Sequence, residues 1–244
     1  MKRILTAVKA KLKDMPRLLL FWKPHFLWLY RNRHLRMDAN VAVNNKIRRQ
    51  FHIDRYIFAV DHLNTVIPDE ARILDAACGT GYGSDILKRI PSAQITGIDI
   101  DAEAVCYAAG KYGDGRATFR VSNVVEMTDF GNELFDAVVS FETIEHLEQP
   151  LLFLKNVHRV LKPQGIMVIS TPNKWGLTRD HKFDYDYPML LSHLENFFVI
   201  DDIWVQNSGS MDLWINRGQQ RRIVKATPET IEQAECFIAV CRKK

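Results

Sequence analysis

The stretch ILDAACGTGYG at residues 73–83, followed by ITGIDID at 95–101, constrains the fold more than any other part of the chain. A β-branched apolar run ends in Asp75 and breaks into Gly79, Gly81 and Gly83. A second apolar run ends in Asp99, twenty-four residues after the first acid. That order reads as a strand, a tight glycine turn, a helix, and a second strand tipped by a carboxylate. Such a unit holds an adenosine-containing cofactor.

The rest of the pattern extends the unit into a sheet. Strands are predicted near 72–76, 94–99, 117–121, 135–141 and 165–171, with helices near 82–90, 102–111 and 150–161. Lys162-Pro163-Gln164-Gly165 is a stop-and-turn signal after the last of these. Upstream, Ile47, Phe51, Tyr56, Val60 and Leu63 recur at helical spacing within 38–66, and Pro68 follows. Residues 172–196 read as a polar loop with a short helix. Two last strands, near 197–206 and 235–242, bracket an irregular insert marked by Gly209, Gly218 and Arg221-Arg222. Alternating β and α with short connections predicts an α/β fold: a doubly wound, mostly parallel, seven-stranded sheet.

Ligands of such sheets sit beyond the carboxyl ends of the strands, where the topology reverses. Only glycine lets a ligand approach bare backbone without steric cost. Asp75 is placed to accept a hydrogen bond from an ammonium group, and Asp99 to take both hydroxyls of a ribose. The spacing G-x-G-x-G is one residue tighter than the dinucleotide fingerprint. An acid at the end of the first strand would also repel a pyrophosphate. Both points favour S-adenosylmethionine over a nicotinamide dinucleotide.

Charge divides the chain. Residues 1–37 carry ten Lys or Arg and one acid, Asp14, so that segment is +9 and leaves −5 on the remainder of a chain whose total is +4. A mildly acidic body argues against a nucleic-acid binder. Four cysteines, at 78, 106, 236 and 241, form no CxxC pair, so a reducing cytoplasm fits and neither a zinc ribbon nor a disulfide framework is suggested. The apolar stretch at 17–30 is interrupted by Lys23, Pro24 and His25 and precedes no small-residue cleavage site, unlike a secretory signal. It is also too short to span a bilayer. Basic residues beside Phe21, Trp22, Phe26, Trp28 and Tyr30 fit a helical extension lying on an anionic membrane surface through residues 1–36, at the inner face. A helix packed on the domain or on a second subunit is the alternative. This divides the chain into a basic aromatic extension, 1–37, and a catalytic domain, 38–244.

Over about residues 48–205 the chain resembles a class I S-adenosylmethionine-dependent methyltransferase. DAACGTGYGS is similar to the family's first motif and GIDID to its second, while FDAVVSFETIEHL and RVLKPQGIMVISTPN resemble its fourth and fifth strands. Within the family, HIDRYIFAV, SFETIEHL, STPNK and a later His-x-x-acid resemble a bacterial branch whose members often act on glycans or small metabolites. The resemblance implies that Gly79 and Gly81 line the methionine part, Asp75 its amino group, Asp99 the ribose, and Ile100 the adenine. Ala77 and Val124 complete the implied cofactor-binding set. Where the family commonly has an acid facing the adenine amino group, this chain has Asn123, whose amide oxygen accepts the same bond without charge.

A second group follows the fourth strand. Glu142, Glu145 and His146 stand at i, i+3 and i+4, and share one face if a helix begins there. His181 lies downstream in RDHKFDY. Two carboxylates and two imidazoles suit Mg²⁺ or Mn²⁺, and the arrangement is similar to that of the small-RNA 2′-O-methyltransferases, where it implies a metal gripping neighbouring hydroxyls. A vicinal diol of a sugar would suit it equally. The plainer reading has Glu142 at a helix start and His146 as a packing residue. As catalytic candidates, His146 and His181 offer a neutral imidazole to a hydroxyl proton. Tyr56, Trp175, Tyr185, Tyr187 and Trp214 are either walls of an acceptor pocket or core aromatics.

These readings converge on methyl transfer to oxygen of a sugar, glycan or small metabolite. Methylation of an RNA terminal ribose and non-catalytic S-adenosylmethionine binding are the alternatives.

Overall fold

The computed structural model describes residues 46–178, 180–207 and 223–244. The basic extension 1–37 and its membrane reading lie outside the described residues, as do Trp214, Gly209, Gly218 and Arg221-Arg222.

Eight strands form one sheet, in the order β3-β2-β1-β4-β5-β8-β6-β7. They are β1 (Arg72–Ala76), β2 (Gln94–Asp99), β3 (Ala117–Val121), β4 (Phe135–Phe141), β5 (Leu161–Pro172), β6 (Phe198–Gln206), β7 (Ile223–Lys225) and β8 (Cys236–Lys243). The first five are mutually parallel, and β8 inserts antiparallel between β5 and β6. Seven strands fall where the pattern places them. The eighth, β7, pairs with the end of β6 through Trp204↔Lys225 to Gln206↔Ile223. Three residues are too few for a period-two signal, which is why this edge strand is not legible in the sequence. The insert also holds a short helix, α6 (Pro228–Glu232), with a reciprocal cap between Thr227 and Thr230.

The helices α1 (Lys46–Leu63), α2 (Tyr82–Leu87), α3 (Ala102–Tyr112), α4 (Pro150–Val160) and α5 (Tyr187–Leu194) complete the described domain. Strand periodicity divides the core in two. Ile73, Ala137, Val139, Ile166, Val168, Ile238 and Val240 face one layer, with Phe51, Tyr56, Ala59 and Leu63 of α1. Their neighbours Leu74, Val138, Met167, Ile169, Phe237 and Ala239 face the other, against Phe153, Leu154 and Val157 of α4 and Leu190 of α5. β4 is buried at all seven positions, as expected of a strand covered on both sides. β5 begins at Leu161, earlier than the turn signal suggests. A register shift between Phe135 and Ala137 of β4 lets Leu161 pair before the chain turns through Gln164 (φ 64°).

β1 lies between β2 and β4, so the chain leaves β1 in one direction across the sheet and returns on its other side. A crevice opens at the carboxyl ends of such a pair. The first residue after β1, Ala77 (φ 66°), and the first after β4, Glu142 (φ 51°), are both left-handed. Strained backbone of this kind persists where surrounding contacts over-determine it. No described helix is long and apolar enough to cross a membrane.

Candidate functional site

The glycine turn is held by backbone. Cys78 N donates to Ile98 O (2.8 Å) and Gly81 N to Cys78 O (3.0 Å), while Gly79 N reaches across to Asp99 Oδ2 (2.8 Å). Each glycine has its own reason. Gly79 is left-handed (φ 52°), and a Cβ there would meet nothing within 4 Å, so its backbone faces open space. Gly81 (φ 80°) caps α2, and its Cβ would lie 2.6 Å from Ala108 Cβ; that of Gly83 would lie 2.0 Å from the Tyr56 ring. One glycine leaves room for a ligand, and the other two leave room for the protein.

Asp75 is fully buried. Its Oδ1 accepts from Tyr56 Oη (3.0 Å) and its Oδ2 from Ser84 Oγ (2.6 Å). Burial pushes its pKa up to about 6, against the two hydroxyl donors that lower it. The sequence reading has this acid meeting an ammonium group; the fold instead turns it inward as a clamp joining α1 and α2 to the tip of β1. Asp99 is half-buried at the tip of β2. Its Oδ1 accepts from Asp101 N (2.9 Å) while Oδ2 holds Gly79, and each oxygen keeps a lone pair for a further donor.

Beyond Asp99, Ile100 is 72% exposed, and Val121, which pairs with Asp99 across β2 and β3, is 52% exposed. Large apolar side chains at two adjacent strand tips present a surface for a flat ring. Asn123 follows β3, linked through Ser122 N to Asp99 O (3.0 Å). Its Oδ1 already accepts from Val125 N (2.9 Å), which leaves one lone pair. Val124 is buried and Ala77 half-buried. The implied cofactor set is therefore gathered around the tips of β1, β2 and β3, with Gly79, Asp99 and Ile100 open and Asp75 closed. The open features fit the nucleoside part of an adenosyl cofactor.

The exit of β4 is built differently. No regular helix starts at Glu142. The left-handed turn there leads into a single 3₁₀ turn, Ile144–His146, so the i, i+3, i+4 face does not form. Glu142 Oε1 pairs with Arg55 Nη1 (3.0 Å) and accepts from Ser170 Oγ (3.1 Å) and Cys236 Sγ (3.6 Å). Arg55 itself is fully buried: Nε donates to Gln206 Oε1 (2.7 Å), the guanidinium carbon lies 4.4 Å from the centre of the Phe51 ring, and Nη2 has no partner. Sequence reasoning missed Arg55. The signal was present, since Phe51, Arg55, Ala59 and Leu63 recur every four residues and a cation on an apolar helix face needs a buried partner.

Glu145 is also buried. Its Oε2 accepts from Thr171 Oγ1 (3.2 Å), and its Oε1 has no partner. Burial and then the Glu142 charge push its pKa up to about 8. His146 Nδ1 lies 2.8 Å from Asp180 O. A carbonyl only accepts, so Nδ1 carries the proton and Nε2 keeps its lone pair, 3.7 Å from Glu145 Oε1. The His181 ring meets the His146 ring edge-on at 4.8 Å, and Trp175 stacks on His181 at 6.5 Å and 28°. One ligand atom from each of Glu145, His146 and His181 falls within 4.8 Å of the others. Of the four residues proposed for a metal, the fold brings three together and gives Glu142 to Arg55.

The aromatic candidates separate in the same way. Tyr56 and Tyr185 are core residues, the latter with its hydroxyl on His193 Nδ1 (2.9 Å). Tyr187 is half-buried against Phe237, while Trp175 is exposed.

Residues 74–169 match the family model described as Methyltransferase domain. A protein of Mycolicibacterium smegmatis named a "Probable S-adenosylmethionine-dependent methyltransferase" is 34% identical over 102 residues, 42% of this chain and 38% of that relative. The mitochondrial ubiquinone biosynthesis O-methyltransferase of Mus musculus is 36% identical over 112 residues, 44% of this chain and 30% of the relative. The match thus spans well under half the length of these curated relatives. Among solved structures, the [4+2]-cyclase SpnF superposes with a TM-score of 0.59 at 20% identity, over 78% of this chain and 81% of its own. An S-adenosylmethionine-dependent methyltransferase of Mesorhizobium loti gives 0.58 at 15%, over 75% and 96%. These two likenesses speak to the fold alone, and a cyclase on the same fold shows that architecture does not name the reaction.

Proposed function

We propose that the chain, which carries a methyltransferase domain over residues 74–169, is a class I S-adenosylmethionine-dependent methyltransferase and that it methylates the oxygen of a hydroxyl on a sugar, a glycan or a small metabolite. The observation that carries the choice of oxygen is the fixed tautomer of His146. Asp180 holds Nδ1–H, and Nε2 stands free beside the unpartnered Oε1 of Glu145. An alcohol must lose its proton during attack, and a positioned imidazole is an apt acceptor for it near neutral pH. The ubiquinone O-methyltransferase relative is named for chemistry of the same kind.

S-adenosylmethionine, when bound, supplies a methyl group already activated by its sulfonium charge. Gly79 would admit the methionine part, Asp99 would take the ribose hydroxyls, and Ile100 with Val121 would cover the adenine. Asn123 would offer its remaining lone pair to the adenine amino group. Nε2 of His146 would hold the acceptor proton, 3.7 Å from Glu145 Oε1. The protein otherwise has only to align the acceptor within near-attack distance.

The test is His146→Ala. Release of S-adenosylhomocysteine should fall by about 10²–10⁴-fold, with cofactor affinity unchanged within about twofold. Undiminished turnover would remove the base from the scheme.

A second reading rests on the grouping of Glu145, His146 and His181: these three would hold Mg²⁺ or Mn²⁺, which lowers the pKa of a bound hydroxyl. Metal analysis of the purified protein and of His181→Ala separates the two readings. RNA methylation is the less favoured substrate choice, because a body of charge −5 lacks the phosphate-neutralising surface such binding needs. For residues 1–36, the +9 charge and interleaved aromatics support docking on an anionic leaflet from the cytoplasmic side; vesicle binding that survives their deletion would exclude it.

A further inference from the structure

We propose that Trp175 and Leu177 form the acceptor wall of the site, and that the acceptor is therefore a hydroxylated ring with an apolar extension. The ring stacks on Trp175, and the extension lies along Leu177. This rests on the hydroxyl-methylation reading above and names its substrate class.

Exposure motivates the idea and construction carries it. Trp175 is 55% and Leu177 70% exposed. They stand on a segment pinned by its own backbone and not on a loose tip. Asn173 N donates to Glu235 O (2.9 Å), Lys174 N to Tyr185 O (2.8 Å) and Gly176 N to Asp184 Oδ1 (2.8 Å). Lys182 N and Phe183 N both donate to Glu145 O, at 2.7 and 3.1 Å. The far end of the segment is thereby tied to the residue that bears the unpartnered carboxylate oxygen. The neighbours of Trp175 on either side, Lys174 (φ 49°) and Gly176 (φ 81°), are both left-handed. Gly176 adopts this conformation freely, but Lys174 does so at a steric cost that persists only where surrounding contacts hold it.

Direction comes from the rings. Trp175 stacks on His181, His181 meets His146 edge-on, and His146 Nε2 faces Glu145. At 6.5 Å the His181 ring covers only part of the indole face, so a ring laid beside it on that face would lie near the His146 imidazole that would take its hydroxyl proton. Indole offers a wide π-face that stacks equally on an aromatic ring or on the C–H face of a sugar. Leu177, two residues on, has no polar function to offer and suits only hydrocarbon.

Calorimetry on the full chain loaded with S-adenosylhomocysteine tests this. The probes are phenols and glucosides, each with methyl, butyl and octyl chains and each below its aggregation limit. At least one ring series should bind more tightly as its chain lengthens. Trp175→Ala should weaken that series about tenfold, and Leu177→Ser should abolish the gain with chain length. Both variants should bind the cofactor product as the parent does, which distinguishes a lost wall from a lost fold. Which series responds tells an aromatic acceptor from a sugar. No binding by either series, or Trp175→Ala binding within twofold of the parent, overturns the proposal. So does Trp175→Ala losing affinity only for anionic phosphatidylglycerol vesicles, which would make the segment a membrane contact. The two readings fail separately. A bound ring that yields no S-adenosylhomocysteine when S-adenosylmethionine replaces the product removes hydroxyl methylation and leaves the wall. Turnover that is indifferent to Trp175 removes the wall and leaves the methylation.

Discussion

The tips of β1 and β2 and the exit of β4 lie on the two sides of one crevice, yet they are built on opposite terms. At the first, every carboxylate oxygen is already held by the protein: those of Asp75 close inward, and each of Asp99 accepts one backbone hydrogen bond and keeps a lone pair. The partners lie within twenty residues along the chain, and Thr80 Oγ1 is the buried polar atom left over. At the second, Arg55 from α1, Glu142 after β4, Ser170 of β5, Gln206 of β6 and Cys236 of β8 meet in one buried network. A guanidinium nitrogen and a carboxylate oxygen there remain without partners. An unpaired buried donor costs free energy that a well-paired one does not. The first region is closed by near neighbours in the chain, and the second is assembled from segments far apart in it.

The contrast can be broken most severely at Arg55. Arg55→Met leaves the Glu142 carboxylate without its cation and should destabilise the fold by about 3–5 kcal/mol, read from the denaturant midpoint. A loss under about 1 kcal/mol would mean that the network is incidental. Arg55→Lys should recover only part of the loss, because an ammonium cannot reproduce the guanidinium fork.

Next comes Asp75, on the finished side. Its pKa stands at about 6 in the fold, above the 3.8 of an unperturbed aspartate. As pH rises the unfolded chain releases this proton first. The stability it contributes is therefore complete below about pH 4 and is lost as pH rises through about 6, by roughly 3 kcal/mol. Asp75→Asn should flatten that part of the pH–stability curve. An unchanged slope would show that the clamp with Tyr56 and Ser84 does not hold the acid as described.

Gly79→Ala sharpens the comparison on the cofactor side. The left-handed backbone should cost about 1 kcal/mol of stability, while the methyl group enters open space and should weaken S-adenosylmethionine binding by about tenfold. Equal affinity in calorimetry would move the cofactor away from this turn. The smallest effect belongs to Asn123→Asp. A charged acceptor makes a stronger hydrogen bond than an amide, so cofactor affinity should rise by a few-fold, roughly 0.5–1 kcal/mol, with no change in acceptor KM.

Much of the first region is legible in the sequence because it is short in range. Strand, glycine turn, helix and second acid fall within 73–99, and each element forms where propensity and punctuation place it. Even there the inward turn of Asp75 is not legible, because its partner Tyr56 comes from a helix nineteen residues upstream. The second region misleads a linear reading. Glu142, Glu145 and His146 have helical spacing, but the left-handed residue after β4 sends the first of them to Arg55. His181 joins His146 and Glu145 because Asp180, Lys182 and Phe183 bond back to the 3₁₀ turn. The three-residue strand β7 was too short for periodicity to show, and although the helical spacing marks Arg55 as inward-facing, its partners, 87 and 151 positions away, are not legible.

By itself, then, the amino-acid order determined the α/β architecture and the position of the crevice, and it set the expectation of an adenosyl cofactor. These follow from side-chain alternation and backbone freedom, which act between neighbours. Only the tertiary structure decided which carboxylates are buried, which imidazole nitrogen is free and which aromatic is left facing solvent. Desolvation and pairing depend on what the rest of the chain brings within a few ångströms, and no local pattern encodes that.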